Sequence, residues 1–444
     1  MQIERHISRV LRESITLVIL IFCLILPLSA QQETISVKQT DQGWKMLVDG
    51  QPHFVKGINW GYKPIGTNYT YSLWNQSPEY IKKALDYDMS RLQKIGVNAI
   101  RVYSGMQPEW ITYIYETYGI HTMINHTFGR YGLMLDGQWV ATTDYSDPRV
   151  EELLLREITE FTETYKNTPG VLLYLIGNEN NYGLFWKGAE TKDIPQEEQD
   201  RAYDDRARHM YSLMNTAAEI IKSIDDSKPV ALCNGDNRFL EIIAEETPEI
   251  DIFGINVYRG EKFGDLYDEV KEIYGKPVLL TEFGADAFNA KTEQEDQRCQ
   301  ARYVKSNWED MYENVAGFGR AENAIGGFTF QHADGWWKYL QEENLSIHDT
   351  NASWSNGGYE CDHVSGENNM NEEWFGVMAR GEKNEEGITK LYPRAAYYVL
   401  QSAHQFDPYQ QEEAGLSAIQ KHFSAISIDE MMKKAQENTP KSEK

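Results

Sequence analysis

Eight times along the sequence a short apolar run ends in polar or aromatic residues and gives way to an amphipathic or polar stretch, and no other feature restricts the fold as tightly. The runs are Phe54–Trp60, Ala99–Tyr103, Thr122–Phe128, Val171–Gly177, Val230–Cys233, Ile252–Tyr258, Val278–Thr281 and Gly327–Phe330. Between them, Pro78–Ile95, Arg149–Lys166, Gln199–Ile224 and Thr292–Asn314 carry apolar residues at helical spacing, with Gly96, Gly170 and Gly275 marking the turns into the next run. Strand then helix, eight times over, is the pattern of a closed parallel barrel rather than of an open doubly wound sheet. No GxGxxG follows the first run, so a dinucleotide site has no support. The expected fold class is α/β, a (β/α)8 TIM barrel over residues 54–405, because no Pro-rich or Gly/Ser-rich linker divides that span.

The flanks read differently. Residues 31–53 carry Asp41-Gln42-Gly43 and Asp49-Gly50 between short alternating runs, the signature of an N-terminal β-hairpin closing the barrel floor. Residues 406–444 form a charged C-terminal tail, with an amphipathic helix expected through Leu416–Met432 and a disordered end over Gln436–Lys444. In residues 1–30, Arg5, Arg9 and Arg12 precede the apolar run Ile15–Leu28, and Leu28-Ser29-Ala30 supplies small residues for cleavage. This reads as a signal peptide that exports the chain to a periplasm or the extracellular space. The alternative is an uncleaved anchor, since the run approaches the roughly 17 residues that span a bilayer. With the signal cleaved, no stable membrane partner is expected.

Composition closes off other classes. With 41 % apolar and 12 % aromatic residues the chain is not disordered, and a net charge of −25 leaves no general basic field for nucleic acid phosphates. Beyond the signal only Cys233, Cys299 and Cys361 remain, so at most one disulfide forms. No CxxC or HxxxH spacing suggests a metal, and no cofactor is implied. The sequence leaves the oligomeric state open.

Active sites of such barrels form at the carboxyl ends of the strands. The fourth run ends Leu175-Ile176-Gly177-Asn178-Glu179 and the seventh Leu279-Leu280-Thr281-Glu282. A glutamate directly after a buried apolar run is costly to desolvate unless it is paired or used. One such residue reads as a rim ion pair; two, on strands three apart, face each other across the mouth.

These two glutamates, with Lys56-Gly57-Ile58-Asn59, Gly96 to Tyr103 and Gly326-Gly327-Phe328 through Trp336-Trp337-Lys338, resemble the retaining glycoside hydrolases of clan A. Within the clan the chain is most similar to the catalytic barrels of family 2, with some likeness to the β-1,3-glucanosyltransferases of family 72. The resemblance implies Glu179 as general acid/base and Glu282 as nucleophile, with Asn178 bonding the sugar 2-hydroxyl. It also implies that Arg101 points at Glu282. Retaining hydrolysis independently asks for two carboxyls about 5–5.5 Å apart, one protonated and one ionised.

Tyr258 is expected to orient Glu282, and His126 either to contact the sugar in the first negative subsite or to be a satisfied structural histidine. Trp336 or Trp337 is expected to form a platform beneath the sugar, because sugar rings present apolar faces to aromatic planes. Trp60, Trp74, Trp186, Trp354 and Trp374 also fall at or beyond candidate strand ends. The segment Lys338–Trp374 lacks a helical period and is expected to fold over the site as a loop. The expected activity is hydrolysis of a neutral β-linked oligo- or polysaccharide, a β-glucan or hemicellulose. A glucanosyltransferase working by the same mechanism and a non-catalytic glycan-binding barrel are the rival readings.

Overall fold

The computed structural model describes residues 33–103, 105–185, 196–410 and 415–438. The signal peptide expected over residues 1–30, Trp186 and residues 439–444 lie outside the described residues.

Eight strands close a barrel: β1 Val55–Asn59, β2 Ala99–Arg101, β3 His121–His126, β4 Val171–Ile176, β5 Val230–Gly235, β6 Ile252–Asn256, β7 Val278–Phe283 and β8 Ala324–Thr329. Each pairs in parallel with its neighbours in chain order, and β8 pairs with β1. One principal helix follows each strand: α1 Pro78–Lys94, α2 Pro108–Tyr118, α3 Pro148–Tyr165, α4 Gln196–Ile224, α5 Leu240–Glu246, α6 Leu266–Ile273, α7 Gln297–Glu313 and α8 Ala395–Ala403. The (β/α)8 expectation is met strand for strand.

Local chemistry explains the helix starts. Ser77 caps α1 by accepting from the Tyr80 backbone N–H, Asp147 caps α3 by accepting from Arg149, and Pro78 and Pro148 hold the first helical position. Ile81, Ala84, Leu85, Met89 and Leu92 then turn one face of α1 onto the barrel. Helix α7 begins at Gln297 rather than Thr292. The intervening residues are spent on a short strand, Gln294–Glu295, paired with Phe288–Asn289, and on the Asp296 cap, which accepts from Cys299.

The N-terminal hairpin is a three-stranded meander, Ile35–Thr40, Gly43–Val48 and Gln51–His53. Ile35 and Met46 are buried among Val55, Ala99, Met123, Leu173 and Ile325 inside the barrel. Backbone bonds from Ile35 to Ser227 (2.9 Å) and from Trp44 to Glu322 (2.8 Å) fasten the meander there.

The tail departs from expectation. Instead of one helix through Leu416–Met432 there are two, α9 Leu416–Ser424 and α10 Ile428–Asn438, and Gln436 to Asn438 belong to the second. Ile419, Phe423, Ile426, Met431 and Ala435 are buried, and Phe423 lies 5.7 Å from the ring of Tyr312 on α7. The apolar stripe expected of an amphipathic helix is present, and it docks on α7 and α8. The segment Lys338–Trp374 is a long loop, joined to α7 by the Cys299–Cys361 disulfide, while Cys233 is free and buried.

Candidate active site

Strand alternation sets the inner wall of the barrel mouth. On β2, Ala99 faces in, Ile100 packs outward and Arg101 faces in again; on β3, Met123 and Asn125 face in while Ile124 and His126 face out. Arg101 is wholly buried. Its Nη1 donates to Glu282 Oε1 at 2.9 Å and to Asn256 Oδ1 and the Thr281 carbonyl, both at 3.1 Å. Its Nη2 donates to Asn178 Oδ1 at 2.7 Å and Asn125 Oδ1 at 3.0 Å. A fixed guanidinium thus ties the ends of β2, β3, β4, β6 and β7 into one network.

Glu282 reaches the mouth through an irregularity. Ile255 of β6 pairs with Leu280, but the next residue, Asn256, pairs with Glu282, so Thr281 is skipped in the register. Thr281 turns its hydroxyl inward to Asn256 at 2.7 Å, and Glu282, which strict alternation would send outward, is re-aimed at the same centre. Tyr103 donates to Glu282 Oε1 at 2.6 Å and Tyr258 to Oε2 at 3.1 Å.

Glu179 follows Gly177, whose φ of 82° makes the turn off β4, and itself sits at φ 57°. That left-handed backbone costs a non-glycine residue on the order of 1–3 kcal/mol. Its N–H is held by the Cys233 carbonyl at 3.0 Å, and its Oε1 accepts from Asn256 Nδ2 at 3.1 Å. Burial first, and the charge of Glu282 second, push the Glu179 carboxyl up to about 7; the Asn256 bond and the charges of Arg130 and Arg101 pull the other way.

Arg101, Asn178, Tyr258, Glu179 and Glu282 therefore come together as the sequence suggested. His126 does not. It is the outward residue of β3, its Nε2 lies 3.4 Å from Glu157 on α3, and its ring packs at 5.6 Å on Phe161. It lines a cavity of about 190 Å³ with Tyr103, Asn125, Phe161 and Tyr165. The strand's period of two puts it on the helix side, away from the carboxylate cluster.

The tryptophans divide. Trp336 stacks at 4.8 Å on His348, which stacks in turn on Trp374 at 3.7 Å, so one face of Trp336 is spent on packing. Trp337 stands 6.0 Å from Tyr69. Trp60 is buried, with its indole N–H on Asp88 at 2.9 Å, and packs 6.1 Å from Trp74. Trp354 lies 5.9 Å from Tyr258.

Sequence reasoning passed over Tyr103, Asn59, Asn125, Asn256 and Tyr131. For the three asparagines a signal existed, since each is the last inward-facing residue of its strand. Tyr103, two residues after Arg101, followed the same rule, whereas Tyr131 comes from a loop and had no such marker. Among the described residues no cluster of His, Cys, Asp and Glu is arranged for a metal.

A parallel eight-stranded barrel with a glutamate at the ends of β4 and β7, linked through Asn256 and one buried arginine, is a barrel of the glycosidase class. Residues 80–334 match the family described as glycosyl hydrolases family 2, TIM barrel domain, and the chain belongs to that family. Similar solved structures include a β-D-glucuronidase from Dictyoglomus thermophilum, at 17 % identity and TM-score 0.53 over 85 % of this chain and 55 % of that one. A family 2 β-galacturonidase from Eisenbergiella tayi bound to glycerol is 17 % identical, TM-score 0.50, over 84 % and 54 %. A β-glucuronidase from Parabacteroides merdae is 13 % identical, TM-score 0.51, over 84 % and 40 %. The chain thus spans about half the length of these proteins or less, and the likeness is one of fold. No curated protein sequence matches it.

Proposed function

We propose that the protein is a retaining β-glycoside hydrolase in which Glu179 is the acid/base and Glu282 the nucleophile. The observation that carries this reading is the unequal treatment of the two carboxyls: Glu282 receives a guanidinium and two phenol hydroxyls, while Glu179 is held up to about 7. In the first step Glu179 gives its proton to the leaving oxygen as Glu282 attacks the anomeric carbon. Once Glu282 is esterified its charge is gone, so one of the causes raising Glu179 disappears and Glu179 becomes the base that activates water. The Asn178 amide, with one proton on the Tyr131 hydroxyl at 2.8 Å, has a second for the sugar 2-hydroxyl.

For the substrate we favour a neutral β-linked glycan, because a net charge of −25 repels polyanions at long range. The uronide-cleaving proteins of similar fold make a uronic acid glycoside the competing choice, and a transglycosidase of the same mechanism the competing outcome. Export by residues 1–30 belongs to the same proposal. The test is incubation with neutral β-glucans, mannans, aryl β-glycosides and β-uronides, followed by NMR of the first-formed anomer. A β-anomer released from a β-substrate is expected; an α-anomer would refute retention. Products longer than the starting oligosaccharide would mark transfer instead.

A further inference from the structure

Four aromatic side chains from three loops make a continuous row at the barrel mouth. Trp337 lies 6.0 Å from Tyr69, Tyr69 lies 6.4 Å from Tyr339, and Tyr339 lies 5.8 Å from Tyr131, measured between ring centroids. Tyr69, Tyr339 and Tyr131 are 40, 49 and 38 % exposed, and none of the four packs into the core clusters. Single apolar residues on a surface are ordinary, but a contiguous set of rings from separate loops is not.

The row is fixed at both ends. At the inner end the Tyr131 hydroxyl accepts from Asn178, which Arg101 joins to Glu282, so the row meets the carboxylate cluster there. Toward the outer end the loops bearing Tyr69 and Tyr339 are bonded together, Asn68 Nδ2 to the Gln341 carbonyl at 2.8 Å and Gly66 N–H to the Leu345 carbonyl at 2.9 Å. Rigid rings give large contact area at low entropic cost.

Of the charges bordering the row, the Lys63 ammonium donates to the Tyr69 and Tyr71 carbonyls. Lys338 is tied to Asp349 at 2.9 Å, Arg130 is buried with its guanidinium 5.3 Å from the Tyr131 ring, and the Glu372 carboxyl adds negative charge near Lys338.

We propose that Tyr131, Tyr339, Tyr69 and Trp337 form a binding platform for an uncharged β-linked oligosaccharide chain leading away from the cleavage point, so that the protein acts on chains in preference to single glycosides. The proposal rests on the glycosidase reading above. It is tested by measuring kcat/KM on an aryl β-monoglycoside and on the matching tetrasaccharide glycoside, for the wild type, Tyr339→Ala and Tyr69→Ala. The tetrasaccharide is expected to be the better wild-type substrate, and each variant to lower the tetrasaccharide-to-monoglycoside ratio about five- to tenfold.

Calorimetry of the wild type with thio-linked oligosaccharides of one to five sugars gives a readout that needs no variant. Affinity should rise with each added sugar across the row. A ratio unmoved by both folded variants, or an affinity independent of length, overturns the platform while leaving the glycosidase reading intact. A β-linked polyuronide bound more tightly than its neutral counterpart overturns the uncharged occupant. Failure of the wild type on every glycoside, short or long, charged or neutral, is instead failure of the reading beneath it.

Discussion

Glu282 accepts from Arg101, Tyr103 and Tyr258, whereas Glu179 has one amide partner and a strained backbone. Replacing Glu282 with Gly is expected to abolish turnover and, with an α-glycosyl fluoride, to permit synthesis; undiminished hydrolysis of an aryl glycoside would refute the assignment. Tyr103→Phe removes one hydrogen bond to a charged acceptor, about 1.5–3 kcal/mol, so kcat/KM should fall roughly ten- to a hundredfold. Glu179 must carry its proton for the first step, so kcat/KM should decline above about pH 7, read from a pH–rate profile. The same shift has a cost in stability. A carboxyl raised to about 7 keeps its proton in the folded chain where the unfolded chain has released it, so stability is lost as pH rises from the ordinary carboxyl range through 7. Glu179→Gln should therefore raise the melting temperature at pH 8 by the equivalent of up to about 3 kcal/mol, and leave it nearly unchanged at pH 4.

Among the elements, β7 and the loop Lys338–Trp374 decide the most. The register skip at Thr281 turns Glu282 inward. The loop bears on the site from above: the Asn356 amide holds the Tyr258 carbonyl at 2.9 Å, and the Tyr359 hydroxyl holds the Gly284 carbonyl at 2.6 Å. Cys299–Cys361 ties this loop to α7 across 62 residues. A closure of that length restrains the unfolded chain by up to about 4 kcal/mol. Cys299→Ser with Cys361→Ser should lower stability by no more than that amount in denaturant titration.

Across the whole molecule the C-terminal helices are part of the packing. Removing residues 407–444 would strip Ile419, Phe423 and Met431 from α7 and α8, each worth about 1.5–3 kcal/mol when fully buried. Such a chain should melt at a clearly lower temperature or aggregate, as a thermal scan with light scattering would show. The strand-and-helix order was legible in the sequence because hydrophobic period is local, and the placement of Glu179, Glu282 and Arg101 at strand ends followed from it. His126 was misplaced because its facing depends on the phase of alternation along β3, which the run of residues alone left open. The tail was foreseen as amphipathic, but its break between Ser424 and Ile428 and its seat on α7 and α8 depend on packing between distant segments. By itself the sequence determined the barrel, the strands that bear the two glutamates and their chemical kind. Only the tertiary structure decided which neighbours each glutamate meets, since a one-residue register skip and contacts across as many as 181 positions are set by packing between strands rather than along the chain.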